Sequence, residues 1–465
     1  MMTTRREILR GGAALLTGAA VAATFRTANA AEKSAAATRP PLAGPPGSHY
    51  TPVVTLNGST APWQMDNGVK VFHLTAEPVR REFAPGMVVN CWGYNGQTPG
   101  PTIECVEGDR VRILVTNKLP EHTTIHWHGI FLPNGMDGVG GLNQPHIKPG
   151  ETYVYEFTLR QNGTYMYHPH ADEMVQMALG MMGLFIVHPK IPENPRIDRD
   201  YGIILHNFAV RPGTARPDAS VMTDFNMWTF NSRVFPGIDP MVARLGERVR
   251  IRVANLSMHE HPIHIHGTAF EVTGTDAGWI PHTARYRETT MLVPVGNVRV
   301  GEFVADAPGD WALHCHKSHH TMNAMGHDVP TMIGVDHREV VKKITNLIPD
   351  YMVMGERGMA DMAEMTMEIP HNTAPMMTGE GPFGGVEMGG MFSILKVRKD
   401  QKRGDYSNPS WYKHPEGTVA FEVNGPVADP LRFKAEGKSS MPLLQKKQAE
   451  VEVQIRKPTM EGMKH

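Results

Sequence analysis

The stretch with the most chemistry in it is His314-Cys315-His316, with His320 and Met325 a short way behind. In a β-strand, alternation sends His314 and His316 to one face and Cys315 to the other. One strand then offers a thiolate to one compartment and a pair of imidazoles to a second compartment close by. That pattern suits two neighbouring metal sites joined through covalent bonds. A disulfide cysteine has no use for flanking histidines.

Three further clusters stand out: His126-Trp127-His128-Gly129, His168-Pro169-His170, and His261-Pro262-Ile263-His264-Ile265-His266-Gly267. A single His-x-His strand is better read as surface or satisfied core histidines. Four clusters, falling two by two into successive blocks of the chain, are not. The whole chain holds 24 His and 31 Met against 3 Cys, which points away from a disulfide scaffold and towards imidazole and thioether ligation. Copper suits such a set best, since thioethers favour Cu(I) and imidazole accepts Cu(II). Basic and acidic residues balance at 46 against 47, which gives no support for nucleic acid as a partner.

Strands must hold these ligands. With 465 residues, 41% of them hydrophobic, the chain has enough apolar material for two to three domains. From about residue 51 the pattern is all-β. Runs such as Val69-Phe72, Met87-Tyr94, Thr102-Val106, Arg110-Thr116 and Tyr153-Thr158 are separated by Gly, Pro and Asn turns, as in Greek-key β-sandwiches. The expected domains are 51–192 and 193–340. They echo each other: Glu107-Gly108-Asp109-Arg110-Val111-Arg112-Ile113 precedes the first His cluster and Leu245-Gly246-Glu247-Arg248-Val249-Arg250-Ile251 the third, which reads as an internal duplication. Residues 341–465 form an extension of uncertain fold. Ten Met fall between Met352 and Met391 without clear periodicity, and strand-like runs follow at Phe392-Val397, Thr418-Val423 and Glu450-Ile455.

Residues 1–30 read as a targeting segment, with Arg5-Arg6 ahead of a weakly apolar run and Ala28-Asn29-Ala30 as a cleavage site, and 31–50 as a Pro-rich linker. Twin arginines resemble a bacterial Tat signal; a Sec signal or an anchor is the alternative. The expectation is an exported periplasmic or secreted protein without a membrane span. Cys91 and Cys105 are either a disulfide or two separate buried thiols.

The four clusters resemble, residue for residue, the copper-binding segments of multicopper oxidases, the laccase-like enzymes built from cupredoxin domains. Gly93-Tyr94-Asn95-Gly96-Gln97-Thr98-Pro99-Gly100-Pro101 is similar to the entry of that family's first domain. The resemblance covers roughly residues 51–340. It implies two cupredoxin-like sandwiches and four coppers per functional unit. By the family pattern, Cys315, His261 and His320 would bind a type 1 copper, with Met325 as weak axial ligand. His319 is a rival that the family spacing sets aside in favour of His320. His126 and His264 would hold a type 2 copper. His128, His168, His170, His266, His314 and His316 would hold a type 3 pair. Asp137 matches an acid that the family uses near the type 2 site for protons, although an aspartate before a glycine also suits a plain turn. A second acid found in some relatives is replaced here by Thr321.

The resemblance further implies one-electron oxidation of a small reducing substrate, phenolic or a metal ion such as Cu(I), coupled to reduction of dioxygen to water. Only about ninety residues separate His170 from His261, too few for the middle domain of three-domain relatives. The chain therefore resembles the two-domain branch, which implies a homotrimer with the three-copper site between subunits. Rival readings are a copper nitrite reductase, which needs only one histidine beside the cysteine, and a copper carrier, which has no need of the full histidine set. The methionines Met174, Met177, Met181 and Met182 are either core filling or soft copper contacts.

Overall fold

The computed structural model describes residues 50–323, 338–347, 371–377 and 379–426. The signal segment, nearly all of the linker, Met325, the first half of the Met-rich stretch and the run Glu450-Ile455 lie outside the described residues.

Alternation in the sequence becomes two β-sandwiches. In the first, Trp63–Asp66, Val69–Ala84, Arg110–Asn117 and Thr152–Thr158 form one sheet, with Met87–Tyr94 paired to Val69–Ala84. The strand Arg110–Asn117 shows how: Val111, Ile113 and Val115 point into the core, while Arg110 and Arg112 point out and bond Glu156 on the neighbouring strand. The facing sheet runs Ile103–Val106, Gly183–His188, Gly163–His168 and His126–His128. In the second sandwich one sheet is built on Arg199–Phe208, Arg248–Asn255, Val298–Val304 and Phe270–Thr275. The other runs Met241–Arg244, Phe392–Arg398, Gly309–Cys315, His261–Ile265 and Thr290–Val293. Buried apolar side chains of both, among them Val79, Phe83, Leu184, Ile204, Phe208 and Val298, form a further shared cluster that packs the sandwiches together.

The strands differ from the sequence reading in three places. Val53–Thr55 pairs with Arg199–Phe208, so the stretch just after residue 50 adds a strand to the second sandwich. Phe392–Arg398 sits between Met241–Arg244 and Gly309–Cys315, so the second sandwich continues past residue 340. Thr418-Val423 forms no strand. Residues up to Lys413 belong to one compact unit; those from His414 belong to another, whose described residues, 414–426, are exposed.

The internal echo is visible in hydrogen bonds. Asp109 Oδ2 accepts from the Val106 amide at 2.9 Å, and Glu247 Oε2 accepts from the Arg244 amide at 2.9 Å. Asn117 and Asn255, each closing its strand, use the side-chain amide to bridge two carbonyls, Glu121 and Ile147 in one case and His259 and Val293 in the other. These paired asparagines brace the loops that lead to His126 and His264. Cys91 and Cys105 are free, buried thiols in different apolar clusters.

Candidate metal centres

Two of the second sandwich's adjacent strands, His261–Ile265 and Gly309–Cys315, pair with Ile263 opposite Cys315 and His264 opposite His314. The three ligand atoms of the buried set come from these strands and from the short turn Ser318–Thr321. Cys315 Sγ lies 3.6 Å from His261 Nδ1 and 3.4 Å from His320 Nδ1, and the two nitrogens are 3.1 Å apart. Ligands held about 2 Å from one shared ion would be about 3.5 Å apart in a trigonal set, so the trio fits a metal with a thiolate and two imidazoles. All three side chains are buried. Burial pushes the Cys315 thiol up to about 12 and His261 down to about 3, and it lowers His320 as well. Such a site favours neutral imidazoles, and the thiolate needs a cation to form.

Ser257 Oγ bonds His261 Nε2 at 2.7 Å and fixes which nitrogen faces the sulfur. S257A is therefore expected to weaken copper binding at the Cys315 trio by about 10–100-fold, measured by competition with a chelator. The turn carrying His320 is held by a returning segment: the Met391 amide donates to the His320 carbonyl at 2.9 Å, and the Met391 carbonyl accepts from the Cys315 amide at 3.0 Å. A Cβ on Gly390 would lie 2.1 Å from the His320 carbonyl oxygen, in a backbone with φ +53°. G390A is expected to cost about 1–3 kcal/mol, read as a lower unfolding temperature of the metal-free protein. His319 is half-buried beside His320, with ring centroids 4.3 Å apart, and is not one of the three converging ligands.

The remaining eight histidines form two quartets. In the first sandwich His126 and His168 are opposed on adjacent strands, and His126, His128 and His168 bring ligand nitrogens within 4.8 Å of one another. His128 Nδ1 and His168 Nε2 are 3.2 Å apart. His170 joins through His126, with ring centroids 5.6 Å apart. In the second sandwich His266 Nε2 and His314 Nε2 are 3.2 Å apart, and the His264 ring stands 5.3 Å from that of His316. Backbone carbonyls accept from several Nδ1 atoms and leave Nε2 to face an ion: Asp137 for His126 at 2.8 Å, Pro169 for His168 at 2.9 Å, Thr289 for His264 at 2.8 Å and Cys315 for His314 at 2.9 Å. Asp137 also sets a carboxylate oxygen 3.5 Å from His126 Nδ1. A Cβ on Gly138 would meet the Ile125 carbonyl oxygen at 1.7 Å, so glycine is required for this approach. Glu173, which the sequence did not single out, lies 3.6 Å from His168 Nδ1 and 4.0 Å from His170 Nε2.

Among the described residues no hydrogen bond or ring contact joins one quartet to the other. The first quartet lines a cavity of about 660 Å³ whose far wall is second-sandwich residues including Phe225, Ser257 and Met258, and the second quartet does not line it. In the second quartet His266 and His316 are exposed. The sequence-marked methionines divide: Met181 and Met182 are core, while Met174 and Met177 face the cavity with Met222 and Met258.

Cupredoxin-like sandwiches holding a buried Cys–His₂ trio, whose cysteine is flanked in the chain by the quartet histidines His314 and His316, define a copper redox protein. The multicopper oxidase family's models match residues 75–191 and 211–334, together more than half of the chain, and the chain belongs to that family of copper-binding oxidoreductases. It is 45% identical over 114 residues to copper resistance protein A of Escherichia coli, across 24% of this chain and 18% of that protein. It is 29% identical over 273 residues to a probable nitrite reductase-hydroxylamine oxidoreductase fusion protein of Kuenenia stuttgartiensis, across 56% of this chain and 31% of that protein. The matches thus span less than a third of either relative. Among solved structures, the blue copper oxidase from Nitrosomonas europaea aligns with a TM-score of 0.53 and 25% identity, over 70% of this chain and 85% of that one. No helix among the described residues is long and apolar enough to cross a membrane.

Proposed function

We propose that the chain oxidises a small one-electron donor at the Cys315 site and reduces dioxygen to water at a site assembled from the two quartets. The observation that carries this reading is the Gly309–Cys315 strand. Cys315 belongs to the buried trio, and His314 belongs to the second quartet, with His316 just beyond. The residues keep the roles their family pattern implies. Cys315, His261 and His320, with Met325 by the family pattern, would hold the type 1 copper. His126 and His264 hold the type 2 copper, and His128, His168, His170, His266, His314 and His316 hold the type 3 pair. Bound there, the coppers supply one-electron steps in the first site and four-electron oxygen chemistry in the second.

The protein's own part is to hold, connect and exclude. The backbone from Cys315 to His314 and His316 gives the electron a covalent path. Carbonyls orient the imidazoles, and Asp137, beside His126, carries protons to the oxygen site. No hydrogen bond or ring contact joins the two quartets among the described residues of one chain, which supports a reading in which the oxygen site forms between the first sandwich of one copy and the second sandwich of another, in a homotrimer. Export through the twin-arginine segment fits this reading. The four cavity thioethers of Met174, Met177, Met222 and Met258 favour Cu(I) as donor, as does the likeness to copper resistance protein A.

Steady-state oxygen uptake by the copper-loaded protein with Cu(I), a phenol, Fe(II) and Mn(II) tests the reading. Sustained uptake, fastest with Cu(I), supports it. A carrier would show no turnover. Because of the Kuenenia likeness, nitrite is included as an acceptor, and nitrite consumption without oxygen uptake would favour a nitrite reductase instead.

A further inference from the structure

His320 is delivered by a turn rather than a strand, so its ring plane is not set by sheet geometry. Against it packs Trp228, from the strand Met227–Phe230, which pairs with Arg199–Phe208 in the opposite sheet of the sandwich. The indole and the His320 imidazole are stacked, with centroids 3.7 Å apart and planes at 21°. The same indole stands edge-on to His261 at 5.9 Å, so it touches both imidazoles of the trio. It is itself fully buried and is backed by Phe225 at 6.0 Å and by His259 at 5.1 Å. Phe225, against which the indole packs, lines the cavity, as does Ser257, the hydrogen-bond partner of His261.

We propose that Trp228 is a positioning residue of the Cys315 site: its stack fixes the His320 ring plane, and its bulk keeps water from the ligands. This rests on the reading that Cys315, His261 and His320 hold copper. The apolar surroundings of a metal site set its dielectric and hence its redox balance. The oxidised site carries one more positive charge than the reduced site, and water stabilises charge. Opening the cover therefore favours the oxidised form.

The test uses full-length, copper-loaded W228F and W228A, with absorption and electron paramagnetic resonance spectra and an equilibrium reductive titration. W228F, which keeps an aromatic stack, is expected to stay close to the parent. W228A is expected to show altered spectra and an oxidised-to-reduced ratio raised about tenfold at a fixed potential, equivalent to about 59 mV for one electron. A folded W228A with the parent's spectrum and ratio overturns the inference and leaves the copper assignment standing. A parent with no sulfur-to-copper absorption overturns the assignment itself. Should W228A not fold, W228L, which fills the space without a ring, replaces it, and an unchanged spectrum and ratio in W228L is equally decisive against the inference.

Discussion

C315S is expected to abolish donor oxidation while leaving the fold in place. Serine is nearly the same size, and Cys315 lies in a fully buried spot whose neighbours within 3.6 Å include the two ligand nitrogens. What changes is the donor atom: an alcohol is a far poorer ligand than a thiolate and does not deprotonate there. The copper-loaded variant should contain about one copper fewer per chain, lack the sulfur-to-copper absorption, and consume oxygen at least ~100-fold more slowly with any donor, a loss beyond that expected from removing an outer hydrogen bond. The quartets are untouched by the substitution and should keep their copper. Copper analysis, the visible spectrum and oxygen uptake on one sample check all three.

The second large effect concerns where the oxygen site forms. H168A breaks the first-sandwich quartet, and H266A breaks the second. Each variant alone should be inactive. If every site draws on two copies, a mixture assembled from both chains contains sites in which an intact first sandwich meets an intact second one. Random assembly of equal amounts leaves about a quarter of the sites whole, so the mixture should regain roughly that share of parental activity. A mixture that stays as inactive as its components would mean that each chain builds its own site. His266 and His316 are exposed, which leaves their imidazoles open to a neighbour, and no hydrogen bond or ring contact among the described residues joins the two quartets.

Much of this was legible because most of the candidate ligands lie on strands. Period-two alternation divides His314-Cys315-His316 between two compartments, and it needs no tertiary information. The strands of the first sandwich are similarly local: Met87–Tyr94 and Arg110–Asn117 follow directly from alternation bounded by turns. What stayed hidden depends on distant pairing. Phe392–Arg398 reads as a strand, but nothing in its residues says that it lies beside Gly309–Cys315 on the far side of a Met-rich stretch. Trp228 and His320 are remote in sequence, and an aromatic residue on a buried strand carries no mark of what it stacks upon. Ser257 was as easily missed, since a serine after a strand suggests a turn before it suggests a ligand's hydrogen-bond partner. A fainter signal was available for the bracing asparagines: Asn117 precedes His126 by the same interval as Asn255 precedes His264, and aligning the two halves would have exposed both. Asp137 stands out by the family pattern, whereas the bond from His126 to its backbone carbonyl depends on how the loop folds back.

The measurement that bears most directly on the account is the number of donor electrons consumed per dioxygen by the copper-loaded protein. A site built from both quartets and fed through Cys315 should use four one-electron equivalents for each O₂ and release no peroxide. Two equivalents per O₂ with peroxide accumulating, or a single burst of uptake without turnover, would contradict it.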